Sequence, residues 1–170
     1  AIISKLNVPP SIPILRRQLL LSRLIMAGNE DVSVAHAALL ARELARLLDE
    51  AQTERLDFSK LAQIVPERFA GHWQETLEFL KIVSSNWPSI LAEQGCIDPA
   101  DRRNRLIEAL IALWQSDPPT GPVIAAGSTG SIPATADLLC LVASLSNGTI
   151  VLPGLDQTLD DESLKALGPG

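Results

Sequence analysis

The sequence predicts a mainly helical protein with a small α/β part towards its C-terminal end, and three observations support this. Apolar residues recur at helical spacing through most of residues 14–116. Two short apolar runs, residues 123–126 and 149–152, then flank a single helical segment. A strand, a helix and a second strand at this spacing predict a βαβ unit, whose parallel strands need cover on both faces.

The first predicted element is a helix that follows a proline-broken extended arm. Four apolar residues recur near helical spacing and predict its buried face: Leu15, Leu19, Ile25 and Met26. Gly28 is expected to end this helix.

A long amphipathic helix is predicted from about Ser33. Its expected apolar face carries Leu40, Leu44, Leu47 and Leu48, with charged residues largely on the other side. We interpret it as a helix of a bundle.

The next segment predicts two further helices. Asp57 is the expected N-cap of a short helix that stops near Pro66. A longer helix is expected from about His72, and Pro88 kinks or divides it. Its predicted apolar stripe consists of Trp73, Leu77, Leu80 and Val83.

The clearest helix start in the chain lies at residues 98–101. Asp98 is the expected N-cap, Pro99 the first helical residue, and Asp101 an acid in the first turn. Three arginines follow near the N-terminal half of this helix: Arg102, Arg103 and Arg105. We favour a solvated face paired to nearby acids, and the alternative is contact with DNA or a partner.

A polar loop joins the first apolar run to the helix of the βαβ unit. It consists of Gly127, Ser128, Thr129, Gly130 and Ser131. Its backbone N–H groups and hydroxyls could meet a phosphate at the helix N-terminus, although the lysine of a P-loop is missing. The favoured interpretation is a tight turn in which Ser131 caps the helix and the two glycines allow a sharp reversal.

These elements divide the chain into four parts. Residues 1–30 form an arm and helix, 31–118 a helical subdomain, 119–158 the βαβ part, and 159–170 an acidic tail or truncation point. Two strands are too few for an independently stable sheet. The chain is therefore expected to be a piece of a longer protein, or to assemble with another.

Composition excludes several functional classes. The net charge of −6 disfavours a self-sufficient nucleic-acid binder, because lysine and arginine supply most non-specific affinity for DNA. The two cysteines lack a C-x-x-C spacing and the two histidines lack a ligand motif, so no metal site is expected. No membrane span or signal peptide is recognisable, which predicts a cytoplasmic protein.

Three ordered motifs resemble a known family. They are "ILAEQGCIDPADRRNRLIEAL" (residues 90–110), "GPVIAAGSTGSIPATADLL" (121–139) and "IVLPGLD" (150–156). Together they resemble the B subunit of the bacterial AddAB helicase-nuclease in its alphaproteobacterial form, over residues 10–162. The resemblance implies double-strand break repair by a heterodimer with an AddA-type motor subunit, which acts on double-stranded and single-stranded DNA.

The same resemblance implies a helicase-like parallel-sheet domain. Residues 33–115 look like its helical insertion, and residues 123–152 like a βαβ return to its core sheet. The family's Mg²⁺ and iron–sulfur cluster belong to a nuclease domain outside this segment. This chain departs from the family's catalytic parts because it has no Walker A lysine, no nuclease motif and only two cysteines.

The expected function is therefore a non-catalytic segment that serves as scaffold, DNA-channel wall and subunit interface. Two alternatives remain open at this point. One is a nucleotide- or phosphate-binding α/β enzyme domain, with the 127–131 loop on a phosphate. The other is a plain helical protein-interaction module.

Overall fold

The computed structural model describes residues 6–28, 31–56, 85–154 and 160. Within them lie five helices and two strands, in the order α1 (Ile14–Gly28), α2 (Val34–Thr53), α3 (Trp87–Glu93), α4 (Pro99–Ser116), β1 (Val123–Ala126), α5 (Pro133–Ser144) and β2 (Gly148–Val151). The predicted mainly helical class with a small α/β part is confirmed. The helices predicted near Asp57 and His72 lie outside the described residues.

The hydrophobic core lies between α1, α2 and α3. Its buried residues are Ile12, Leu21, Ile25, Ala37, Ala41, Leu44, Leu48, Trp87 and Leu91. The small residues of α2 let α1 approach closely, and these two helices form the most extensive contact between described elements. Ser33 fixes the start of α2, because its hydroxyl accepts the backbone N–H of His36 at 3.3 Å.

The predicted buried face of α1 is wrong for two of its four residues. Leu15 and Leu19 are 70% and 58% exposed. The buried residues are instead Arg17, Leu21 and Ile25, which follow one another at intervals of four and so share one face. Because one of these three residues is an arginine, a search for apolar residues at helical spacing does not find this face. The helix is described as far as Gly28, its predicted end, and the two residues after it lie outside the described part of the chain.

The N-terminal arm is extended and pairs with the segment before α4. The Ile12 N–H donates to the Ile97 carbonyl at 2.9 Å, and the Ile97 N–H donates to the Pro10 carbonyl at 3.0 Å. These bonds place the arm beside the start of α4 and bring Ile12 into the core.

The βαβ unit forms with parallel strands, as predicted. Val123 pairs with Gly148 and Ala126 with Val151, so the second strand begins one residue earlier than expected. In the described part of the chain the sheet has these two strands alone. Helix α5 packs on both strands. Ile124 and Val151 remain 68% and 54% exposed, so the sheet shows apolar side chains that α5 does not cover.

A tight turn connects α5 to β2. A Cβ atom on Gly148 would overlap the carbonyl oxygen of Val142, so this position requires glycine. The side-chain amide of Asn147 donates to the carbonyl oxygens of Pro119 and Gly121, which ties the turn to the linker before β1.

Among the described helices, none has the length and apolar character needed to cross a membrane.

Candidate functional site

The 127–131 loop leaves the carboxyl end of β1 and leads into α5. Gly127 and Gly130 have φ values of 78° and 70°, in the left-handed region that favours glycine. A Cβ atom on Gly130 would lie 3.1 Å from the Leu139 side chain, so the loop also packs closely against α5. The reversal expected from the two glycines is therefore present.

The predicted helix-capping role of Ser131 is wrong. The N-cap residue of α5 is Ile132, and no side chain caps the helix. Pro133 occupies the first helical position and so moves the cap to the residue before it. The Ser131 hydroxyl lies 3.4 Å from that of Thr129, and the Ser128 hydroxyl accepts the Gly130 N–H at 3.3 Å.

A phosphate in this loop would meet backbone N–H groups and hydroxyls but no cation from the same unit. Residues 118–154 contain neither lysine nor arginine. Phosphate sites at helix N-termini commonly add a basic side chain to the helix dipole. The loop geometry is explained by its own internal hydrogen bonds, and phosphate contact by Gly127–Ser131 stays a prediction.

The arginines of α4 point to three different partners. Arg102 Nε donates to the Pro9 carbonyl at 3.1 Å. Arg103 Nη2 donates to the Thr53 hydroxyl at 2.7 Å. Arg105 Nε lies 2.9 Å from an oxygen of Asp101, one turn earlier on the same helix. Arg102 and Arg103 thus link α4 to the N-terminal arm and to α2, whereas the Arg105 pair lies within α4. All three guanidinium groups stay partly accessible to solvent.

This arrangement predicts weak DNA binding. We expect the isolated chain to bind duplex DNA with a Kd no tighter than about 10⁻⁴–10⁻⁶ M at physiological salt. Replacing Arg102, Arg103 and Arg105 together by alanine should leave this Kd unchanged. Fluorescence anisotropy over a salt series measures both quantities. A salt slope that falls by about 0.9 for each arginine lost would instead assign all three to phosphates.

A buried charged cluster escaped the sequence-based prediction. Asp98 is the N-cap residue of α4, as expected, but its carboxylate makes no cap hydrogen bond. Instead Arg17 Nε lies 2.8 Å from Asp98 Oδ1. The Trp87 indole N–H donates to Oδ2 at 2.9 Å, and the Gln52 amide donates to the same oxygen at 2.8 Å. Asp98 is completely buried, so this cluster is part of the core and open to no substrate.

A second unpredicted cluster lies on the surface between three helices. Arg55 follows α2 and is 2.7 Å from Asp137 on α5 and 3.1 Å from Glu108 on α4. The hydrogen bond to Asp137 and the two neighbouring carboxylates raise the pKa of Arg55 above its ordinary value. Below it, a groove of about 520 Å³ separates α4 from α5.

The side chains that could serve as metal ligands include the two cysteines and the two histidines of the chain. The described residues contain no group of three or more His, Cys, Asp and Glu side chains that could hold a metal ion. Both cysteines are free thiols: Cys96 is half-buried in the loop between α3 and α4, and Cys140 is exposed on α5. His72 lies outside the described residues.

Comparison of the chain with protein-family models, curated proteins and solved structures found no match.

Proposed function

We propose that this chain is a non-catalytic segment of the B subunit of an AddAB-type double-strand break repair helicase-nuclease. Its role there is that of a scaffold, a wall of the DNA channel and an interface for the motor subunit. The observation that carries the proposal is the incomplete parallel sheet at the C-terminal end of the described chain.

The apolar residues of the two strands are typical of a sheet in the interior of a larger domain. Both strands alternate between half-buried and exposed residues, yet the exposed positions include Ile124, Ala126 and Val151. Parallel strands are normally covered on both faces and read as continuous apolar runs. Leu152, directly after β2, is also 60% exposed. Such a surface fits further strands and a second layer of helices.

The sequence resemblance supports a helicase-like identity for that larger domain. The second and third motifs that resemble the family, residues 121–139 and 150–156, cover β1, most of α5 and the end of β2. In the family these residues would return the chain to the core sheet of a helicase-like domain that has largely lost motor function. The absence of a lysine from the 127–131 loop agrees with that loss.

The family's cofactors do not fit the residues of this chain. An iron–sulfur cluster is held by four cysteine thiolates, and this chain has two cysteines. The described residues likewise offer no cluster of carboxylates for Mg²⁺. The proposal therefore assigns neither ATP hydrolysis nor strand cleavage to this segment.

A test of the proposal compares the same two substitutions in two settings. In the isolated chain, Ile124→Lys with Val151→Lys should change the free energy of unfolding by no more than about 0.5 kcal/mol, as surface changes do. In the full B subunit the same pair should bury two lysines and abolish assembly with the motor subunit. Chemical denaturation measures the first and co-purification the second.

The matched control is Ile124→Val with Val151→Ile, which keeps this face apolar and should assemble normally. A full-length subunit that carries both lysines and still assembles and unwinds DNA would contradict the proposal. In that case the sheet would have no further layer on this face.

A further inference from the structure

The C-terminal end of α2 has an arginine at a position that usually holds glycine. Arg55 has a φ of 54° and is the only non-glycine residue with a positive φ in the described part of the chain. The Arg55 N–H donates to the Gln52 carbonyl, and the Leu56 N–H donates to the Ala51 carbonyl. These bonds define a Schellman motif, in which glycine avoids the strain that a side chain creates.

The side chain of Arg55 makes contacts that glycine could not make. One terminal nitrogen lies 2.7 Å from Asp137 Oδ2, and the other lies 3.1 Å from Glu108 Oε1. The guanidinium fork suits this geometry because its two terminal nitrogens can each meet a different carboxylate. Arg55 thus joins the C-terminal end of α2 to α4 and α5.

The contact that Arg55 spans includes an open groove. The groove of about 520 Å³ lies between α4 and α5, with Ile111 and Ala112 on one side and Cys140 and Leu141 on the other. Glu108 and Asp137 belong to the same groove lining. Side chains that line an open groove have fewer packing neighbours than side chains in a close-packed interior. The ion pairs of Arg55 therefore add to the direct contact that α4 and α5 make beside the groove.

We propose that Arg55 is a clamp that holds the βαβ unit in a fixed orientation on the helical part of the protein. Loss of its two ion pairs weakens the α4–α5 contact, so that α5 and its two strands open away from α4 more often. The two ion pairs that the Arg55 side chain makes offset the backbone strain at this residue. The inference is independent of the DNA-repair role proposed above, because it concerns contacts within this chain.

Hydrogen exchange measured by mass spectrometry tests the clamp. Two parallel strands and one helix are too few to be stable alone, so exchange in the βαβ unit reports its attachment. Arg55→Gly relieves the backbone strain but removes both ion pairs. It should speed exchange of the α5, β1 and β2 amides about 3- to 10-fold. Exchange in α1 and α2 should stay within about twofold of the wild type.

Matched variants separate the clamp from a general loss of charge. Arg46→Ala removes a pair within α2, since Arg46 lies 3.0 Å from Glu50 on the same helix, and it should leave exchange in the βαβ unit unchanged. Asp137→Asn should reproduce part of the Arg55→Gly effect. Combined with Arg55→Gly it should add nothing, because the pair is already lost.

Salt provides an independent readout. At about 1 M NaCl the screening length falls to about 3 Å, so exchange in the wild-type βαβ unit should approach that of Arg55→Gly, which should itself barely respond. Equal exchange in the βαβ unit of wild type and Arg55→Gly would overturn the proposal. If Arg55→Gly fails to fold by circular dichroism, Arg55→Asn, which also tolerates positive φ, carries the same comparison.

Discussion

Replacing Asp98 by alanine is expected to lower the free energy of unfolding by about 3–5 kcal/mol, because it leaves buried groups without their charged partner. Arg17 is buried, and Asp98 is one of the two carboxylates beside its guanidinium. The indole of Trp87 and the amide of Gln52 lose their acceptor in the same step. Chemical denaturation followed by circular dichroism measures the loss.

Asp101→Ala is the matched control for this substitution. Asp101 lies in the first turn of the same helix, but its carboxylate is more accessible and pairs only with Arg105 one turn away. Its loss should cost about 0.3–1 kcal/mol through the helix dipole and this local pair. Equal costs for the two substitutions would mean that burial of Asp98 contributes nothing.

A double substitution tests whether Arg17 and Asp98 act as a pair. Arg17→Met with Asp98→Asn removes both charges and keeps an acceptor oxygen for Trp87. Replacing a buried ion pair by uncharged groups is often far less costly than breaking it. The coupling free energy between residues 17 and 98, obtained by comparing the double substitution with the two single ones, should therefore be about 0.5–3 kcal/mol.

Sequence signals that depend on a few neighbouring residues predicted the local structure correctly. The aspartate and proline at residues 98 and 99 place the start of α4 correctly, because cap and first-turn preferences depend on local backbone geometry. The βαβ unit was predicted from two apolar runs and one helical segment, and its strands pair in parallel. Gly127 and Gly130 marked a reversal that only positive φ values allow.

Long-range partners explain the errors. The pattern on α1 treated Arg17 as an interruption, whereas Asp49 and Asp98, both far along the chain, make it part of the buried face. Asp98 is a favoured residue at an N-cap, and nothing in the sequence around it indicated an ion pair with Arg17. The error at Ser131 has a local cause instead: Pro133 takes the first helical position, so the residue before it, Ile132, is the N-cap of α5.

The two clusters around Asp98 and Arg55 carry different sequence signals. Arg17, Leu21 and Ile25 follow one another at intervals of four, so a search for charged residues within an apolar row would single out Arg17. Arg55 gives no comparable signal, because its importance depends on a left-handed backbone and on two acids from later helices. Only the folded chain brings these three residues together.

Trp87→Ala is expected to lower the free energy of unfolding by about 3–5 kcal/mol, as truncation of a large buried side chain does. Trp87 is among the largest fully buried residues described, and it begins α3 with Pro88 in the first turn. The substitution removes both the packing of the ring and its hydrogen bond to Asp98. A second variant is needed to separate the two contributions.

Trp87→Phe keeps an apolar ring but removes the indole N–H. Asp98 then retains Gln52 and Arg17, so the cost should be about 1–3 kcal/mol, the penalty for one lost partner of a buried acceptor. Trp114→Phe, at a half-buried position on α4, is the control for the change in ring size. Denaturation midpoints of the three variants should rank Trp114→Phe above Trp87→Phe, and Trp87→Phe above Trp87→Ala. Equal losses for phenylalanine and alanine at residue 87 would assign the effect to the hydrogen bond alone, since only the ring distinguishes these two side chains.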